Sequence, residues 1–580
     1  MINKKLMLGN EAIARGLYEA GCKVISSYPG TPSTEITEFA TKYDDIYTEW
    51  APNEKVAVEV SLGASIGGVR SFSAMKHVGL NVAADPVFTA AYTGVNGGFV
   101  IAVADDPGMH SSQNEQDSRH YAISSKIPML EPSDSAECLS FVKIAYEMSE
   151  MFDTPVFIRL STRVSHSQSL VETSEKEEHK DIPYVKNAAK YVMVPQNARA
   201  RHIVVEDRIR KIKEWSESCA VNTVEINNSE IGVITSGISY QYTKEALGDT
   251  VSYLKLGVIN PLPDKLLKEF CAKFKKVYVI EELDPVIEQY CAALGLKVCG
   301  KELFSNIGEL SSEIIKAKIL NENTEYSVFP EALPGRPPVL CPGCPHRGVF
   351  YVLKKLKLMV NGDIGCYTLG SAAPLESIDA TICMGYSVSG LHGFNKATSL
   401  NKAAETKVKA VAVIGDSTFI HSGITGLINI AYNNSNSTVI ILDNSITGMT
   451  GHQQNPTTGF NIKGDPAVAV DLEALCHAVG IQRVTVVDPH NIDETEKVIK
   501  ADLETEGPTV IIARRPCILL KTAKIKASLK VDKDKCKSCK MCLKIGCPSI
   551  SFKDNKSVIN PTLCVGCDLC KKLCKFDAIN

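Results

Sequence analysis

The chain closes on two cysteine runs. Cys536, Cys539, Cys542 and Cys547 follow C-x2-C-x2-C-x4-C-P, and Cys564, Cys567, Cys570 and Cys574 follow C-x2-C-x2-C-x3-C. Thiolates at this spacing wrap cubane iron–sulfur clusters, and in tandem runs the fourth cysteine of each run ligates the other cluster. One [4Fe-4S] cluster is therefore expected on Cys536, Cys539, Cys542 and Cys574, and the other on Cys564, Cys567, Cys570 and Cys547. Structural zinc also uses CxxC pairs, but two triple-CxxC runs in tandem fit it poorly. The first run has four residues before its last cysteine instead of three, and Lys575 stands where proline would end the second.

A second constellation lies upstream. Gly415-Asp416-Ser417 is separated from Asn444 by a stretch with 27 residues between Asp416 and Asn444. Each end follows an apolar, β-branched run, KAVAVIGD (409–416) and STVIILDN (437–444). Strand ends are where α/β sheets bind ligands. A carboxylate and an amide oxygen, with a backbone carbonyl, are hard ligands for Mg²⁺, which would hold a diphosphate. Gly415 would let the backbone approach it. The pattern resembles the thiamine diphosphate signature, with Ser417 in place of a third-position Gly.

These groups need elements to hold them. The two β-branched runs with IHSGITGLINIAYNNSN between them read as a βαβ unit with strands covered on both faces. Residues 1–190 alternate short apolar runs (22–26, 156–160) with amphipathic stretches, as in a parallel sheet. The polar run 172–181 is a surface connection. Residues 200–325 read as a smaller α/β domain, with strands at 231–237 and 277–282, the latter ending in two carboxylates. A linker with Pro330, Pro334, Pro337 and Pro338 precedes block 340–520. Block 528–580 is too small for a core and needs a metal staple.

With 580 residues, three or four domains are expected. The 44% hydrophobic and 22% charged content excludes disorder and fibrous classes. A net charge of -3 gives no push toward nucleic acid or membrane. From Lys521 onward, fourteen lysines face five aspartates, a net of +9, which leaves -12 for residues 1–520. Such a cationic tail would steer an acidic ferredoxin to the clusters. The start MINKKLMLGN has no apolar h-region, so no signal peptide is expected and the location reads as cytoplasmic. The uncharged stretch 86–104 is interrupted by Gly94, Asn96, Gly97 and Gly98 and reads as buried structure rather than a span.

CPGCPHR (341–347), GDIGCYTLG (362–370), MGYSVSGLHG (384–393) and LDNSITGMTGHQ (442–453) together resemble the 2-oxoacid:ferredoxin oxidoreductases. YPGTPSTEI (28–36) and NEKVAVEVSLGAS (53–65) resemble that family's pyrimidine-binding domain. The domain order, with a ferredoxin tail on the same chain, most closely resembles the large (alpha) subunit of the family's indolepyruvate branch. The resemblance implies an α/β, multidomain thiamine-diphosphate fold with parallel sheets covered by helices on both faces. It comprises a pyrimidine domain (1–190), a transketolase C-terminal-like domain (200–325), a diphosphate domain (340–520) and a small α+β bicluster ferredoxin domain (528–580).

The same resemblance implies the chemistry. Arylpyruvates, indolepyruvate foremost, would react with coenzyme A to give aryl-acetyl-CoA, CO₂ and reduced ferredoxin. Glu54 matches the glutamate that shares a proton with the cofactor's aminopyrimidine, with Glu59 as a local competitor. Thr31 matches a position near the substrate carboxylate. Asp416, Asn444 and the Ile446 carbonyl match the Mg²⁺ ligands, and Gly415, Ser417 and Gly385 fall in cofactor-binding motifs. Relatives hold a third cluster on a CPGC pair plus distant cysteines. Here Cys341, Cys344 and Cys366 are its candidates, and Cys383 or Cys517 the fourth. A separate beta subunit, in an α₂β₂ assembly, is expected, with coenzyme A bound largely on it. Rival readings are another 2-oxoacid (pyruvate or branched-chain), a non-oxidative decarboxylase, and an electron-transfer scaffold without its own catalysis.

Overall fold

The computed structural model describes residues 3–322, 331–335, 337–401 and 408–580. Pro330 of the expected linker lies outside them. The chain forms two compact units, Met1–Val328 and Phe329–Asn580.

The first unit is built on a seven-stranded sheet in the order Val258–Asn260, Met129–Leu130, Val156–Ser161, Phe99–Asp105, Ser71–Lys76, Val24–Ser27 and Tyr47–Trp50. All neighbours are parallel except Val258–Asn260, which pairs antiparallel with Met129–Leu130. The strand Phe99–Asp105 shows why its sequence is apolar throughout. Val100, Ala102 and Ala104 enter one core, and Phe99, Ile101 and Val103 enter the other. A strand buried on both faces loses the alternation of a half-exposed one. The uncharged stretch 86–104 thus supplies the end of the helix His77–Thr93 and most of this strand.

A four-stranded sheet follows, ordered Lys276–Ile280, Ile231–Ser236, Ser252–Leu256 and Thr223–Glu225. The two carboxylates after Lys276–Ile280 are both used structurally. Glu281 pairs with Arg119 and accepts the amides of Ile287 and Glu288, while Glu282 accepts the Leu310 amide at 2.9 Å.

In the second unit, five strands are all parallel, in the order Met359–Asn361, Ala410–Gly415, Thr438–Asp443, Thr509–Arg514 and Arg483–Val487. Both expected β-branched runs are strands, and Gly415 is in register with Leu442. Their carboxyl ends therefore lie side by side. The crossover is helical from Asp416 to Tyr432, with one π turn at Phe419–Gly423.

The tail carries a hairpin, Ile550–Lys553 with Lys556–Ile559. Asp554 and Asn555 turn it in the left-handed region, as a tight hairpin requires. Its own core is three residues, Cys542, Ile550 and Ile579. Ile545 and Leu569 instead join the core that contains Val349, Phe350 and Val413. No helix among the described residues is long and apolar enough to cross a membrane.

Candidate functional site

The βαβ unit delivers Asp416 and Asn444 to one point. Asp416 begins the crossover and is buried. Asn444 follows the neighbouring strand, and Ser445 next to it adopts φ 58°. That left-handed residue turns the chain so that the Ile446 carbonyl faces back. One atom of the Asn444 amide lies 3.0 Å from the Ile446 oxygen and 3.1 Å from Asp416 Oδ1. As an NH₂ group it would donate to both. As the amide oxygen, it completes a convergence of three oxygens, the arrangement a hard divalent cation stabilises. The donor set therefore fits Mg²⁺.

Burial, and then the nearby Asp443, push the Asp416 carboxyl up to about 7. Asn455 Nδ2 at 3.3 Å and the Thr457 hydroxyl at 3.1 Å donate to its other oxygen. Ser417 is buried and accepts the Thr447 hydroxyl at 2.9 Å.

Gly415 has a reason the sequence did not disclose. A Cβ there would sit 2.6 Å from Cε1 of Tyr367, whose ring packs across the strand end. Gly385 opens the helix Tyr386–Leu400 at φ 89°, and a Cβ there would meet Ser422 at 2.7 Å. Its amide donates to Asp363 at 2.9 Å, as does that of Ser387. Asp363 was missed in the sequence because an acidic residue in a loop motif carries no mark of burial.

The candidate thiols Cys341, Cys344 and Cys366 are electrostatic neighbours of one another, and Cys341 and Cys366 are also neighbours of Cys517. The Cys366 thiol is pushed up to about 11 by burial, with Cys517 and Cys341 adding. Cys344 is pushed up to about 12 by burial, and Cys341 and Cys366 bear on it in the same sense. Cys517 joins this set and its amide donates to the Asn444 carbonyl at 2.9 Å. Cys383 is exposed.

The tail cysteines sort into two cavities. Cys536, Cys539, Cys542 and Cys574 line one of them. Cys547, Cys564, Cys567 and Cys570 line the other. The grouping is the crossed one expected from the spacing. The extra residue of the first run is taken up by the short 3₁₀ helix Met541–Ile545 followed by Gly546 at φ 69°. Burial and the adjacent thiols push Cys570 up to about 12. Four thiols in one pocket ionise together only beside concentrated positive charge, so the donor sets fit iron clusters. Hydroxyls of Ser557 and Ser549 lie 3.1 Å and 3.0 Å from the sulfurs of Cys542 and Cys547.

In the first unit, Glu54 opens the helix Glu54–Ile66, with Asn53 as its cap. Only 5% of it is exposed, and a Cβ on Gly79 would come within 2.5 Å of its Oε1. Glu59, the competitor, is exposed and paired with Lys55. Lys76, which the sequence reading passed over, is buried, and burial pushes its ammonium down to about 8. It donates to the Ser111 carbonyl at 2.6 Å, and the Ser111 hydroxyl reaches the Thr31 carbonyl at 3.5 Å. Among the described residues Lys76 forms no ion pair. Beside it lies the buried His77 ring, whose charged form burial disfavours.

Comparisons with known proteins agree with these motifs. Residues 15–226 match the family "Pyruvate flavodoxin/ferredoxin oxidoreductase, thiamine diP-bdg". Residues 363–513 match "Thiamine pyrophosphate enzyme, C-terminal TPP binding domain", and residues 557–580 match "4Fe-4S binding domain". The chain is 41% identical to the indolepyruvate oxidoreductase subunit IorA of Archaeoglobus fulgidus, over 99% of this chain and 97% of that one. It is 40% identical to the subunit of that name from Pyrococcus abyssi, over 99% and 96%. The subunit from Methanothermobacter thermautotrophicus is 39% identical, over 100% and 97%. The chain therefore belongs to the indolepyruvate oxidoreductase IorA family, within the thiamine-diphosphate-dependent 2-oxoacid:ferredoxin oxidoreductases, enzymes that join oxidative decarboxylation of a 2-oxoacid to electron transfer through [4Fe-4S] clusters.

Proposed function

We propose that the substrate is an arylpyruvate, indolepyruvate foremost, and that coenzyme A takes the acyl group as CO₂ and reduced ferredoxin form. The observation that carries this reading is the near-full-length identity to subunits named for indolepyruvate. When bound, thiamine diphosphate supplies the nucleophile and electron sink that a 2-oxoacid needs to lose CO₂.

The residues take distinct roles in this reading. Asp416, Asn444 and the Ile446 carbonyl hold Mg²⁺, and Gly415, Ser417 and Gly385 shape the diphosphate cradle. Glu54 shares a proton with the aminopyrimidine ring. Thr31 lies by the substrate carboxylate, and we add Lys76 as its charge partner, since a buried ammonium without an ion-pair partner suits an anion. The pyrimidine, transketolase-like, diphosphate and ferredoxin domains fall at 1–190, 200–325, 340–520 and 528–580. A beta subunit completes an α₂β₂ enzyme and carries much of the coenzyme A site, and an acidic ferredoxin docks on the lysine-rich tail.

The test is a substrate screen on the anaerobically purified complex, read by dye reduction and by acyl-CoA formation. Indolepyruvate and phenylpyruvate should give kcat/KM at least about tenfold above pyruvate and branched-chain 2-oxoacids, a difference of about 1.4 kcal/mol in transition-state binding. A preference for pyruvate overturns the aryl assignment, and absence of acyl-CoA overturns the coenzyme A step.

We infer the cluster number from the thiol sets. The two tail cavities account for about eight irons, at four per cubane. Cys341, Cys344, Cys366 and Cys517 are linked as electrostatic neighbours, whereas Cys383 is exposed, which favours Cys517 as the fourth member of the set. We expect about twelve irons per chain in metal analysis, falling to about eight in the Cys366→Ser variant. About eight irons in both proteins would show that this third set is idle.

A further inference from the structure

Arg347 ends the motif CPGCPHR, and its side chain is 2% exposed. A buried guanidinium normally sits against a carboxylate, because an uncompensated charge in a dry interior is costly. Among the described residues Arg347 has no such partner. Every hydrogen bond it makes goes to a backbone carbonyl. Nε donates to Cys341 at 3.0 Å, Nη2 donates to Leu340, and Nη1 donates to Ile545 at 3.1 Å and Gly546 at 2.5 Å. Carbonyl dipoles orient the fork but leave its unit charge in place.

That charge faces sulfur. Arg347 lines the cavity of Cys547, Cys564, Cys567 and Cys570, and Cys547, Cys344, Cys341 and Cys567 are its electrostatic neighbours. The cavity of Cys536, Cys539, Cys542 and Cys574 has no such residue. Its cations come from the tail itself: Lys537 and Lys540 line it and are exposed, and the half-buried Lys556 donates to the Cys536 carbonyl at 2.7 Å, where its charge favours the Cys536 thiolate. The two tail sites therefore differ in electrostatics, although the sequence makes them look like twins.

We propose that Arg347 is a positioning and charge-balancing residue for the tail cluster on Cys564, Cys567, Cys570 and Cys547, and that it raises the reduction potential of that cluster above the value its ligands alone would set. The inference rests on the cluster assignment proposed above. A cubane held by four thiolates gains one negative charge when it takes up an electron. A fixed, buried cation lining the same pocket would stabilise the reduced form more than the oxidised one. Through Gly546 the same side chain also sets the backbone that presents Cys547.

The test is an EPR-monitored redox titration of the anaerobically purified full complex, comparing wild type with Arg347→Gln and Arg347→Lys, with iron content measured on each. Arg347→Gln should make reduction of one tail cluster at least tenfold less favourable, which for a one-electron couple is 59 mV lower. The other tail cluster should stay within threefold of wild type. Arg347→Lys keeps the charge and should restore most of the shift. Full iron content with unmoved midpoints in Arg347→Gln overturns the proposal and leaves Arg347 a packing residue. Loss of one cluster's iron from wild type itself would instead overturn the cluster assignment. Should Arg347→Gln fail to fold or to hold the cluster, Arg347→Lys decides. A midpoint within threefold of wild type supports the charge, and a tenfold loss assigns the effect to the hydrogen-bond fork.

Discussion

Glu54→Gln should lower 2-oxoacid-dependent dye reduction by about 10²–10⁴-fold, the range for removing a positioned proton-transfer group. The substitution keeps volume and one oxygen, so the packing over Gly79 persists and thermal stability should change little. Thiamine diphosphate content and the EPR signals of the reduced clusters should match wild type, since the clusters do not depend on this carboxyl. The companion variant Glu59→Gln should keep near-normal turnover. That side chain is exposed and contributes only a surface ion pair with Lys55, worth at most about 1 kcal/mol. Turnover of Glu54→Gln within a few-fold of wild type would remove Glu54 from the reaction. It would also revive the reading of the chain as an electron-transfer scaffold.

Asp416→Asn should cost the Mg²⁺–cofactor pair on the order of 100-fold in affinity or more, the upper end for disturbing residues that support a metal site. The amide keeps an oxygen but loses the only formal charge among the three converging groups. The measurement is calorimetric titration of thiamine diphosphate at fixed Mg²⁺ into the cofactor-depleted enzyme. A pH dependence accompanies it. Burial raises Asp416 to about 7, so the free site is increasingly protonated below that pH, and a metal must displace the proton. In wild type, apparent affinity should fall by roughly tenfold per unit below pH 7 and level off above it. In Asp416→Asn this component should vanish. A flat wild-type profile between pH 5 and pH 7, or wild-type affinity in the variant, would break the assignment.

Residue type and spacing were enough for several parts of the molecule. Tandem CxxC runs dictate clusters because a cubane needs four soft ligands at short, fixed separations. The crossed grouping of Cys547 and Cys574 follows from the same constraint, and the structure places those thiols accordingly. The runs 409–416 and 437–444 were legible as strands because a parallel sheet with two covered faces demands uninterrupted β-branched residues. Asp416 and Asn444 at their ends were legible for the same reason. Glu54, Thr31 and Gly385 were legible only through family likeness, since a glutamate at a helix start has no intrinsic mark of burial.

Other features depend on contacts between residues remote in sequence. Gly415 owes its lack of a side chain to Tyr367, 48 positions earlier, and no local pattern encodes that approach. Val258–Asn260 was expected within a smaller domain of its own, yet it pairs with Met129–Leu130 at the edge of the preceding sheet. Ile545 and Leu569 of the tail pack into a core that the tail's own length could not supply. That Cys517 rather than the exposed Cys383 is an electrostatic neighbour of Cys366 is likewise tertiary. So is the placing of Arg347 against one tail site and not the other. Covalent spacing fixes which groups are able to meet a ligand, because chelation and strand pairing act over a few residues. Burial and electrostatic surroundings are set by packing between distant segments, and those decide which candidate group is tuned for the chemistry.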